Sequence, residues 1–218
     1  MYLFLICFFP FAFAFYSALC VNSNDAFVFK KTLRISASGI VLSVIFCFIH
    51  AFFVFEPSYN GENIGIYILR KWITLALIPL FIYFFLALWF KGKIQTKIKA
   101  FLSFMLPFYA VYLPFFVMSE KDNSFFQLFV KPVLYFLYLL PIYAEMNRLL
   151  FVPDEKSKRK PRFNILFVIF LSLVPACVEA VWFYNFDLTV SVAIYAVCAL
   201  FCLFRCAANL SNRAKSAA

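Results

Sequence analysis

"AFLSFMLPFYAVYLPFFVM" (residues 100–118) runs for nineteen residues without one charged side chain. An α-helix rises about 1.5 Å per residue, so about 20 apolar residues cross the roughly 30 Å hydrocarbon core of a bilayer. Inside that core every backbone N–H and C=O needs a partner within the protein, which leaves helices or closed barrels. A run this long and continuous is unlike the short alternating segments of a membrane barrel. The stretch therefore reads as a spanning helix, and the rest of the chain repeats the pattern.

Apolar stretches recur at 2–21, 36–55, 68–90, 100–118, 127–151, 163–184 and 188–208, separated by short polar breaks. The 218 residues are 66% hydrophobic and 14% charged, with mean hydropathy +0.92. These values lie far from those of soluble domains. The expectation is an all-α, polytopic transmembrane bundle of seven spans, forming one transmembrane domain over 1–218 with no soluble domain. The first stretch ends in "FYSALC" (15–20), faintly like a lipoprotein cleavage site. It lacks a basic leading region and carries Leu19 where a small residue belongs, so it is taken as a span.

Basic residues mark the cytoplasmic side of short loops. Lys30, Lys31 and Arg34 follow the first stretch, Lys91, Lys93, Lys97 and Lys99 the third, and Lys156, Lys158, Arg159, Lys160 and Arg162 the fifth. Arg205, Arg213 and Lys215 lie at or beyond the end of the seventh. The intervening breaks hold Glu56, Glu62, Glu120, Asp122 and Asp187, with Lys121. This alternation places the N-terminus outside and the C-terminus in the cytoplasm. The net charge of +10 is then a topology signal that also favours anionic lipid headgroups at the cytoplasmic face; no nucleic acid is expected. The compact plan suggests the cytoplasmic (inner) membrane of a bacterium.

Several chemistries fail for want of residues. A single histidine excludes His-cluster metal sites, and there is no Gly-rich phosphate loop, Walker lysine or G-x-S-x-G elbow. The last stretch has no lysine for a retinal Schiff base, and the carboxylate and histidine pattern of CAAX-type intramembrane proteases is absent. No cofactor and no enzymatic activity are expected. Cys198, Cys202 and Cys206 recur every four residues. That spacing would suit a soft metal, but one helix separates successive ligands by about 6 Å, so a packing face is the better reading and no metal is expected.

Ionisable groups inside spans are costly and point to function by default. On the fifth stretch Lys131, Tyr135, Tyr138, Ile142 and Glu145 fall within about 80° of arc at 100° per residue, a polar stripe that should face other helices. Arg148, three residues beyond Glu145, and Arg205 of the last stretch are the expected partners of that carboxylate. Ser36, Ser43, Cys47 and His50 form a second stripe, and Ser172 and Glu179 share a face of the sixth. His50 and Glu179 each lie about five residues from the outer end of their spans, which suggests a contact between them. Arg70 and Lys71 sit near the outer start of the third stretch, where they are expected to snorkel to headgroups or to meet an anion at the outer mouth.

Glycine, the residue of close helix contacts and unwound transporter segments, occurs only four times. Pro79, Pro107, Pro114, Pro132, Pro141 and Pro175 supply irregularity instead. The leading functional expectation is a small transport-type or permease-like component with a polar path between kinked helices. The alternatives are a non-catalytic membrane subunit that docks a partner protein through apolar flanks and basic loops, and a lipid-processing enzyme using Glu145 and Arg148. A homo-oligomer is compatible with each.

Overall fold

A computed structural model describes residues 2, 6, 8–9, 12, 26–54, 63–89, 94–119, 124–151, 161–184, 193, 196–197, 200–201 and 204. No strand occurs among them. The helices are α1 (Ala26–Ile49), α2 (Ile64–Trp72), α3 (Ile78–Trp89), α4 (Ile94–Ser119), α5 (Lys131–Phe151) and α6 (Pro161–Phe183). Three five-residue π-helical turns continue or precede them, at His50–Val54, Ile73–Leu77 and Phe126–Val130.

Four described segments are long and apolar enough to cross a bilayer: Thr32–Phe52, Ile64–Ala87, Ala100–Met118 and Phe126–Tyr143. Val168–Phe183 is apolar but shorter. These correspond to the second through sixth expected stretches. The first and seventh lie almost wholly outside the described residues. The chain is thus all-helical with four candidate membrane-spanning helices among the described residues, consistent with an integral membrane protein.

Two of the π turns have a visible cause in the sequence. A proline ring clashes with the carbonyl four residues back and offers no N–H to it. Ile78, just before Pro79, donates its N–H to Ile73 O, and Lys131, just before Pro132, donates to Phe126 O. In both cases an i→i−5 bond widens the turn that the ring must enter. Pro107, Pro114, Pro141 and Pro175 lie inside α-helices without such a turn, so proline alone does not dictate one.

The described contacts fall into two compact units, Met1–Glu62 with Pro79–Phe136, and Asn63–Ile78 with Leu137–Ala218. In the first, α1 packs along α4 in parallel. The Ser36 hydroxyl donates to Ser103 O at 2.9 Å, the Phe46 and Phe108 rings lie 6.1 Å apart, and the His50 and Phe116 rings 5.2 Å apart. Gly39 permits the approach: a Cβ there would stand 2.6 Å from Phe104 O, a backbone atom with no room to yield. One of the four glycines is thus a helix-contact residue, as in other membrane interfaces. Aromatic rings fill the remainder, with Tyr83 edge-on to Phe101 at 5.0 Å and Phe104 stacked on Phe108 at 6.0 Å.

In the second unit, α2 packs against α6 in antiparallel fashion. Tyr67 meets Phe183, Lys71 meets Glu179 and Trp72 meets Ser172, so positions advance along one helix as they recede along the other. Asn63 starts α2 as its N-cap, its side-chain oxygen accepting from Gly65 N at 2.9 Å. The apolar segment therefore begins at Ile64, four residues before the expected boundary at 68.

Candidate functional site

The best-defined polar cluster lies between α2 and α6. Tyr67, Lys71 and Thr74 are spaced by four and three residues, which puts them on one face of the helix, and all three are buried. On α6, Ser172 and Glu179 are seven residues apart, two turns along a single face, and both are buried. Where the faces meet, Glu179 Oε1 receives the Tyr67 hydroxyl at 3.2 Å and stands 3.5 Å from Lys71 Nζ. The ammonium also lies 5.2 Å from the centre of the Tyr67 ring, a cation–π distance. Arg70, half-buried, places its guanidinium carbon 6.0 Å from the same ring. Two turns from Glu179 along α6, Ser172 Oγ accepts from Trp72 Nε1 at 2.9 Å and donates to Ile169 O at 2.7 Å.

Side-chain exposure of Lys71 and Glu179 is 3% and 0%. Lys71 therefore departs from the expectation of a residue snorkelling at the headgroups. Its helix starts earlier than hydropathy alone indicates, so Lys71 lies two turns beyond the Asn63 cap, buried against Glu179. Above the pair, Tyr67 stacks on Phe183 at 4.5 Å and meets Tyr184 edge-on at 5.8 Å. Lys71 and Tyr67 are thus partners of Glu179 that the sequence had not suggested.

His50 belongs to the other unit. Its Nδ1 is 3.5 Å from the Tyr112 hydroxyl, and its ring sits among Phe46, Tyr112 and Phe116. Ser36, Ser43 and Cys47 of the same stripe are all buried. Lys131 is fully buried with its ammonium 4.6 Å from the centre of the Phe116 ring, so Phe116 is touched by both His50 and Lys131. Tyr135 follows, its ring 6.1 Å from Tyr109. Gln127, one turn before Lys131 in the π turn, is buried with Oε1 accepting no hydrogen bond among the described residues.

Tyr138, Ile142 and Glu145 continue the α5 stripe in the second unit, and all are buried. Arg148 lies in α5 but its side chain is outside the described residues, as are Arg205, Cys198, Cys202 and Cys206. Sequence reasoning missed Tyr67, Trp72, Gly39 and Gln127. The i,i+4 spacing of Tyr67 and Lys71 after an Asn N-cap was the available signal.

No protein-family model, curated protein or solved structure matches this chain.

Proposed function

We propose that the chain is a transport-type, permease-like component of a bacterial cytoplasmic membrane, crossing it seven times with the N-terminus outside and a polar path between kinked helices. The observation that carries this reading is the set of ionisable groups in apolar helices: His50, Lys71, Lys131, Glu145 and Glu179 are each no more than 4% exposed. Ionisable groups buried within apolar helices are costly and point to function by default. Their neighbourhood supports the same reading, because π turns, which gather at functional sites, begin at His50, follow Lys71 by two residues and end beside Lys131. Packing direction supports alternating crossings. The second and fourth spans should run parallel and the third and sixth antiparallel, as α1 with α4 and α2 with α6 do.

The test is flux. The full chain, reconstituted in phosphatidylethanolamine–phosphatidylglycerol vesicles, should give saturable counterflow of at least one class among small anionic, cationic and neutral solutes. Lys131→Met should reduce it at least about tenfold, equivalent to about 1.4 kcal/mol. Permeability equal to that of protein-free vesicles for all three classes would overturn the proposal.

A further inference from the structure

We infer that the π turns Ile73–Leu77 and Phe126–Val130 are a pair of hinges on which the two compact units move relative to each other, each keeping its own packing. The inference deepens the transport reading and rests on it only for the part the motion plays in flux.

The two turns are built alike. "ITLALIP" (73–79) and "FQLFVKP" (126–132) each place a buried polar residue second, Thr74 or Gln127, and a proline seventh. The sixth residue spends its N–H on the first carbonyl, Ile78 on Ile73 and Lys131 on Phe126. The seventh has no N–H to give. The second carbonyl, of Thr74 or Gln127, therefore receives neither the i+4 nor the i+5 donor of a helical ladder.

One donor thus stands beside two acceptors. The Ile78 N–H can serve Ile73 O, which holds the wide turn, or Thr74 O four residues back, which gives the ordinary α pitch; Lys131 has the same choice between Phe126 O and Gln127 O. In an unbroken helix such a shift strands a carbonyl that had a partner. Here one carbonyl is left over in either arrangement, and the N–H makes one bond before and after. Each turn is bistable for that reason, and the helix beyond it is aimed differently in its two arrangements. Side chains loosen both turns further. The Thr74 hydroxyl bonds back to Arg70 O at 2.9 Å, a pattern that bends helices, and Gln127 Oε1 is a buried acceptor without a donor among the described residues.

Their place in the chain gives this looseness a use. The chain passes between the two units at 62/63, 78/79 and 136/137. The first passage falls at the N-cap of α2, and the other two fall inside the apolar segments Ile64–Ala87 and Phe126–Tyr143. A helix bends sharply only where its ladder is interrupted. Pro79 is the first residue after the second passage, and Pro132 lies one turn before Phe136, the last residue ahead of the third. Pro107 and Pro114 within the first unit, and Pro141 and Pro175 within the second, sit in α-helix with no π turn. The π turn His50–Val54 lies within one unit and has Glu56 in the seventh place, so its sequence withholds no donor. Wide turns completed by proline therefore occur at the passages and not inside a unit, as expected of hinges, where a few residues absorb the dihedral change between bodies that stay rigid.

The measurement is double electron–electron resonance on the full chain in phosphatidylethanolamine–phosphatidylglycerol nanodiscs. The seven cysteines are replaced by alanine, and nitroxide labels go on cysteines introduced pairwise at exposed sites. Val44 with Met118 and Ile66 with Phe170 each report inside one unit, whereas Val44 with Phe170 and Met118 with Ile66 report across the two. Distances across the units should spread at least about twice as widely as those inside one. Pro79→Ala with Pro132→Ala supplies an N–H at each seventh place and raises helix propensity, and it should narrow the cross-unit spread to the within-unit value. Pro107→Ala with Pro114→Ala should leave that spread unchanged. The within-unit distances should be the same in all three chains, which checks that each unit keeps its fold. A wild-type cross-unit spread no wider than the within-unit one, a spread unmoved by Pro79→Ala with Pro132→Ala, equal narrowing by Pro107→Ala with Pro114→Ala, or within-unit distances that shift with the hinge variant would each overturn the hinges. Narrowing with counterflow undiminished would detach the hinges from transport and leave them standing. Narrowing in a chain whose wild type carries no solute would overturn the transport reading alone.

Discussion

Replacing Glu179 by Gln should be among the most destabilising single changes in the chain. At 3.5 Å and an effective dielectric constant of about 20, the attraction between Lys71 and Glu179 is about 5 kcal/mol before desolvation is counted. Removing one member leaves the other's charge buried without its counterion, a loss of about 3–5 kcal/mol. Removing both, as Lys71→Met with Glu179→Gln, exchanges the desolvation cost of two charges for apolar contact and should return to within about 1–2 kcal/mol of wild type. The coupling energy of this double-mutant cycle should therefore be about 3 kcal/mol or more. Unfolding of the purified chain in mixed micelles with increasing sodium dodecyl sulfate, followed by tryptophan fluorescence, measures all four corners. Trp72 reports directly, because its indole nitrogen is bonded to Ser172 across the same interface. Additive single effects would refute the buried pair.

Gly39→Ala should cost about 1–3 kcal/mol in the same assay, because the added methyl meets Phe104 O at 2.6 Å and two helix backbones must separate; no loss would mean that α1 and α4 pack less closely. Ser172→Ala removes the acceptor of the Trp72 indole N–H and leaves the tryptophan reporter in place, and a loss of about 0.6 kcal/mol is expected, the usual worth of one interhelical hydrogen bond in a membrane. For topology, cysteines introduced at Ser58 and Asn123 should react with an impermeant thiol reagent from outside intact cells and one at Ser157 should not. Labelling at Ser157 would invert the orientation.

The helices were legible because bilayer physics needs little more than length and hydropathy. The expected stretches 36–55, 127–151 and 163–184 end within a few residues of the observed helical segments. The stripe Lys131, Tyr135, Tyr138, Ile142 and Glu145 was legible because a single helix with a 100° step fixes which residues share a side, and all five are buried. Partners were harder, since depth in a span does not say which helices are neighbours. His50 and Glu179 were matched by depth, whereas the contacts seen are His50 with Tyr112 and Glu179 with Tyr67 and Lys71. Lys71 misled for a local reason. Hydropathy averages dilute the amphipathic turn "IGIYILR" (64–70), whereas the Asn63 cap starts the helix there and carries Lys71 inward. Gly39 was invisible because scarcity of glycine says nothing about where one backbone touches another.

The widened turns at 73–77 and 126–130 have a consequence for how this chain tolerates change in length. A π turn is geometrically an α-helix holding one supernumerary residue, and it displaces everything beyond it by about 100° around the axis. Deleting a single residue such as Leu77 would let the coil close to the ordinary pitch while Pro79 moves one step toward the carbonyl it now avoids. Every side chain from Ile78 onward would then return to the angular phase that an unbroken helix would give it. Relatives of this chain can therefore differ by one residue in the middle of a span, and an alignment that forbids gaps inside spans would set their two halves out of phase.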